Sequence, residues 1–226
     1  MKLRILALGA AFGLIGTSPV LADVIIDDST PGHYNDELGD LHLLDGNTDD
    51  NSVDNFLPGP FISEGDPTTD FTADPGLEFD PNSAFGNDWL NGDFTGTGST
   101  WSTDPVAIPS TWEINEETAI VYSFDLASTS DLHIDVGVDN GVFIWLNGDF
   151  LFGATAPGGA SLDEYNVAVS NVEAGSNFLA ILRADHGGST GFSINVTAKS
   201  VPEPGTLALL GLGLVGLGVA RRRGNS

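Results

Sequence analysis

GVFIWLNGDFLFG, residues 141–153, sets two apolar runs on either side of Asn147-Gly148. Both turn residues accept the positive φ of a type I′ turn and the flanking residues favour extended chain, so this stretch predicts a β-hairpin. Trp145, inside the continuous run VFIWL, is expected in the core. Upstream, AIVYSFDL (119–126) and DLHIDVGVD (131–139) alternate with period two. Ile120, Tyr122, Phe124 and Leu126 share one face, as do Leu132, Ile134, Val136 and Val138. Alternation of this kind buries one face of each strand. Asp139-Asn140-Gly141, between the second strand and the hairpin, reads as a turn. Downstream, residues 164–172, 177–185 and 191–199 are further strands. No helical pattern longer than two turns precedes residue 205, and Gly-rich turns recur at short spacing. The expected class is all-β, a β-sandwich.

The order of these features carries a resemblance. YSFDLAST, LHIDVGVDNGVFIWLNGDFLFG and YNVAVSNVEAGSNFLAILRAD, with Gly175, Asn177, Leu179 and Ala180 in the last, resemble the galactose-binding-domain-like jelly roll. That group includes the sugar-binding domain of family 2 glycoside hydrolases. The resemblance covers about residues 118–198 and implies a fold rather than a ligand.

Both chain ends differ in character from the rest. Lys2 and Arg4 precede the apolar stretch 5–16, and Val20-Leu21-Ala22 offers small residues before Asp23. This is the pattern of a secretory signal peptide, residues 1–22, cut between Ala22 and Asp23 by signal peptidase. The run is too short for a first transmembrane helix. At the other end, Val201-Pro202-Glu203-Pro204, an apolar Gly-rich run and Arg221-Arg222-Arg223 resemble the PEP-CTERM sorting signal. The resemblance implies recognition by exosortase, an integral-membrane protease of Gram-negative bacteria, transient residence in the inner membrane and transfer to the cell surface. Residues 206–220 would span about 22 Å as a helix, against a hydrocarbon core of ~30 Å. The short transmembrane helix is therefore marginal, and four glycines weaken it further. The arginines would act as a stop-transfer signal. A permanent C-terminal anchor is the alternative.

Between the two ends, residues 23–200 hold 31 of the 32 acidic residues but only Arg183 and Lys199 as bases, a formal charge of −29. Such a surface repels nucleic acid and anionic lipid and favours cations. The chain has no cysteine, which excludes disulfides and thiolate chemistry. Residues 23–110 read as an acidic, loop-rich part of the ectodomain and 111–200 as its β-sandwich core.

Candidate sites lie in this ectodomain. LDGNTDDNSVDN (44–55) places Asp45, Asn47 and Asp49 at alternate positions like the start of an EF-hand loop. Asp50 and Phe56 then stand where that loop needs Gly and Glu. A looser Ca²⁺ site remains a candidate, with Asp139 as a second; the competing reading is a solvated acidic loop. For a sugar, aromatic platforms beside polar side chains are needed. Trp89, Trp101 and Trp112 sit in loop-like contexts, and Asp185-His186-Gly187-Gly188 follows a strand and could present Arg183, Asp185 and His186 at a sheet end. No catalytic motif is present. The expected function is a non-catalytic surface or extracellular-matrix protein that binds polysaccharide. The alternatives are a secreted carbohydrate-active hydrolase and a structural coat component.

Overall fold

The structure is a computed structural model. It describes residues 21–38, 69–71, 85–96, 98–114, 116–156, 159–162, 164–185, 188–202 and 213. Residues 1–20 of the expected signal peptide, the acidic stretch 44–55, His186, Glu203, Pro204, the run 206–220 save Gly213, and Arg221–Arg223 lie outside the described residues. Among the described residues no helix is long and apolar enough to cross a membrane.

Nine strands are described: β1 Asp23–Asp27, β2 His33–Asn35, β3 Thr69–Phe71, β4 Thr118–Leu126, β5 Ser130–Leu146, β6 Asp149–Ala156, β7 Tyr165–Val172, β8 Gly175–Ala184 and β9 Gly191–Ser200. All their pairings are antiparallel. They form a sandwich of two sheets that share β5. Its first half, Ser130–Asp139, pairs with β9 and β7, and β1 joins at the free side of β9. Its second half, from Asn140 or Gly141 to Leu146, pairs with β6 and β8; β4 and β2 continue on one side and β3 on the other. Asp139-Asn140-Gly141 is therefore not a turn. It is the crossing point at which one strand of 17 residues passes from one sheet to the other. Strand β1 and strand β2, although N-terminal to residue 110, are hydrogen-bonded into the same two sheets as the rest.

The Asn147-Gly148 turn has the expected geometry, with φ of 52° and 83° at its two residues. Asn147 also locks the turn onto β8: its Oδ1 accepts the Phe178 N–H at 2.8 Å and its Nδ2 donates to Asn177 Oδ1 at 2.9 Å.

The main core lies between the sheets. Leu132, Ile134, Val136 and Val138 face it from β5, as the period-two pattern requires, and meet Ile120, Tyr122, Ile144 and Ile181 from the second sheet. Removing one such branched side chain, as in an Ile→Ala change, costs about 2–5 kcal/mol. The second sheet is apolar on its outer face as well. There Ala119, Val121, Phe143, Trp145, Ala180 and Leu182 form a second core with Phe85 and Trp89. Trp89 opens a single 3-10 turn, Trp89–Asn91, and its ring packs 5.6 Å from Trp145 and 5.7 Å from Trp101. This cover explains why β4 is buried on both faces from Thr118 to Tyr122. Trp145 is fully buried, in agreement with its sequence context.

Candidate functional site

Arg183 lies within the run of buried residues on β8 and is 0% exposed. An arginine reaches such a position only when its donors are satisfied and its planar group is packed. Thr118, opposite Arg183 in the β4–β8 register, accepts from Nε at 2.9 Å. The Pro109 carbonyl accepts from one terminal nitrogen at 2.8 Å and the Tyr34 hydroxyl lies 3.1 Å from the other. Three rings surround the guanidinium, with centroids 4.3 Å (Trp112), 4.9 Å (Phe192) and 5.4 Å (Tyr34) from its central carbon. Burial pushes the Arg183 pKa down to about 10, so it stays charged at neutral pH. Desolvation likewise raises the Tyr34 hydroxyl above its ordinary value, and the charge of Asp36 adds to that.

Above this buried cation opens a cleft of about 320 Å³. It is lined by Tyr34, Asp36, Pro109, Thr111, Trp112, Glu113, Glu116 and Thr118. Its walls come from the end of β2, the segment before β4 and the first residue of β4. Trp112 is held at both its backbone and its indole. Its N–H donates to Thr190 Oγ1 at 2.9 Å, Thr190 Oγ1 donates back to the Trp112 carbonyl at 2.9 Å, and its Nε1 donates to the Glu116 carbonyl at 2.7 Å. One aromatic face rests on Arg183 and the side chain is half-buried. The cleft is thus a rigid aromatic and hydroxyl-bearing wall with three carboxylates on its lining.

The other predicted site residues are distributed differently. Trp89 is 4% exposed inside the second core, and half-buried Trp101 packs against it, its Nε1 donating to the Phe85 carbonyl at 3.0 Å. Neither lines the cleft, and Trp89 is a core side chain rather than a surface platform. Arg183 stands beneath the cleft rather than being presented at a sheet end. Asp185 is buried, as is Asp139, whose Oδ2 accepts from Ser189 Oγ at 3.0 Å. Near Asp139, Glu164 Oε2 accepts the Val138 N–H at 3.0 Å, and desolvation raises the Glu164 pKa, helped by the Asp139 charge. Among the described residues no group of three or more His, Cys, Asp or Glu side chains could hold a metal ion. Asp45, Asn47 and Asp49 lie outside those residues. Tyr34, Asp36, Glu113, Glu116 and Thr118 are not among the sequence candidates. For Glu113, Glu116 and Thr118 the signal is the cluster TWEINEET, residues 111–118, in which a tryptophan is closely followed by acids just before a strand; Tyr34 and Asp36 join them only through the pairing of β2 with β4.

Residues 200–223 match the PEP-CTERM protein-sorting motif. The motif implies export, processing by exosortase and sorting to the cell surface. A comparison with curated proteins finds no match. Among solved structures, the chain is similar to a family 2 β-galacturonidase from Eisenbergiella tayi, with a TM-score of 0.36, 11% identity and 49% of this chain covered. The match spans 22% of the length of that enzyme. It is also similar to the PA14 domain of the antifreeze protein MpAFP (TM-score 0.34, 18% identity, 81% of this chain and 87% of the other). A third likeness is to the PA14 sugar-binding domain of an RTX adhesin (TM-score 0.29, 19% identity, 43% of this chain and 51% of the other).

Proposed function

We propose that the ectodomain is a non-catalytic polysaccharide-binding component of the cell surface or extracellular matrix, delivered there by exosortase. The cleft carries this reading. Its volume of about 320 Å³ suits a sugar unit, since small-ligand sites start near ~300 Å³. Sugar rings present C–H faces that pack on aromatic side chains and hydroxyls that donate to carboxylates. Half-buried Trp112 supplies the first kind of contact, and Asp36, Glu113 and Glu116 the second. The hydrogen bonds that fix Trp112 mean that little ordering entropy is lost on binding.

The test is a glycan-array screen with the full-length chain in neutral detergent, followed by titration of each glycan retained. Binding should fall at least about tenfold in Trp112→Ala and in Thr111→Arg, which places a bulky side chain on the cleft rim. Thr111 is exposed, so the second variant should keep its melting temperature. Retention of no glycan would favour the structural coat component instead. Release of shortened products from a bound polysaccharide would favour the hydrolase.

A further inference from the structure

We infer that the cleft selects a polysaccharide bearing free amino groups, with glucosamine units as the recognised element, over neutral, uronate or sulfated chains. This rests on the reading of the cleft as a carbohydrate site and adds the charge that its ligand must carry.

Charge compensation is the reason. Asp36, Glu113 and Glu116 all line one cleft. Between residues 23 and 200 the only lysine or arginine residues are Arg183 and Lys199. Arg183 is fully buried and directs its three nitrogens to Thr118, Pro109 and Tyr34. Lys199 sits near the far end of β9, whereas the cleft adjoins that strand's beginning, where Thr190 holds Trp112. One buried cation thus stands against three carboxylates, and no lysine or arginine within the ectodomain is left to approach them.

A ligand that brings ammonium groups would supply the missing positive charge, through hydrogen bonds stronger than neutral ones. The same walls would repel a carboxylated or sulfated sugar, because like charges in one cleft oppose binding. Trp112 remains suited to the sugar ring itself, and a cation near an aromatic face is favoured further.

The experiment compares two probes with one sugar backbone, a β-1,4-linked glucosamine tetramer, whose amines are charged, and its fully N-acetylated neutral form. Both are titrated calorimetrically into the full-length chain in neutral detergent at about pH 6. The amino form should bind at least about tenfold more tightly at low salt, with the preference shrinking as salt screens the charges. Glu113→Gln/Glu116→Gln should remove most of that preference while leaving the melting temperature unchanged. Equal affinity for the two tetramers would overturn the selection by charge and leave the carbohydrate reading standing. A preference that persists in the double variant would place the selectivity on the acidic surface at large and overturn the assignment to the cleft. Binding of neither tetramer would overturn the amino-sugar assignment, and the array screen would then decide the carbohydrate reading separately.

Discussion

The guanidinium carbon of Arg183 lies 4.3 Å from the centre of the Trp112 ring, so a wall of the surface cleft is stacked on a cation buried in the sandwich. Cleft and core are thereby one packing unit. Arg183→Lys should reveal this, because an ammonium cannot reproduce the fork that meets Thr118, Pro109 and Tyr34 together. Each buried oxygen left without its donor costs about 1–3 kcal/mol. Denaturant unfolding should show a loss of about 2–4 kcal/mol, with Trp112 fluorescence changed even in the folded state. A variant as stable as the parent would mean that the guanidinium contacts contribute little.

Gly137 lies in β5 where a Cβ would overlap the backbone of Ser161. Backbone atoms cannot step aside as a flexible side chain can. Gly137→Ala should therefore destabilise the protein by at least about 2 kcal/mol, measured as a lowered denaturation midpoint.

Glu164 predicts a particular pH dependence. Burial, the largest cause, and the neighbouring Asp139 charge raise its folded pKa above the ordinary 4.5, while the Val138 N–H acts in the opposite direction. The folded state therefore holds the proton more tightly than the unfolded state. The contribution of Glu164 to stability is most favourable below about 4.5 and declines as pH rises through the folded pKa. Glu164→Gln has no such titration. The melting temperature of the parent minus that of the variant should become more positive on acidification from neutral pH towards 4.5. A difference independent of pH would contradict the shift. Asp27 and Asp93 are held low by hydrogen bonds from Ser29 and Thr95, so their contributions are lost only below the ordinary 3.8, outside that window.

Processing of the sorting motif gives a mass prediction. Protein released from the cell surface should lack Arg221, Arg222 and Arg223, and intact-mass spectrometry reads this directly. Recovery of the three arginines on mature surface protein would instead indicate a permanent anchor.

The elements legible in the sequence are those fixed by local chemistry. Leu132, Ile134, Val136 and Val138 alternate because one face of β5 meets the core, and Asn147-Gly148 announces its own turn. Asp139-Asn140-Gly141 has turn-like composition too, yet stays extended, because β9 pairs with the residues before it and β8 with those after. That outcome belongs to tertiary pairing and has no local signature. The burial of Arg183 is equally non-local: Tyr34 and Pro109 come from 149 and 74 residues away in the chain. Trp89 and Trp112 look alike in sequence, both among polar and turn-forming neighbours. One closes the second core and the other lines the cleft, a difference set by the apolar outer face of the second sheet.

Strand β9 joins two ends of the molecule that have different relations to the cell. Asp23, the first residue after the expected signal-peptide cut, pairs with Ala198, and Val201 donates its N–H to the Thr129 carbonyl just past Ser200. The start of the ectodomain and its junction with the sorting motif therefore share one pole. The cleft adjoins the opposite end of β9, ten residues away along an extended strand, about 30 Å at ~3.3 Å per residue. A chain held through that junction keeps the cleft at the far end of β9, away from the point of attachment. The sandwich itself then acts as the spacer between the sorting junction and the cleft.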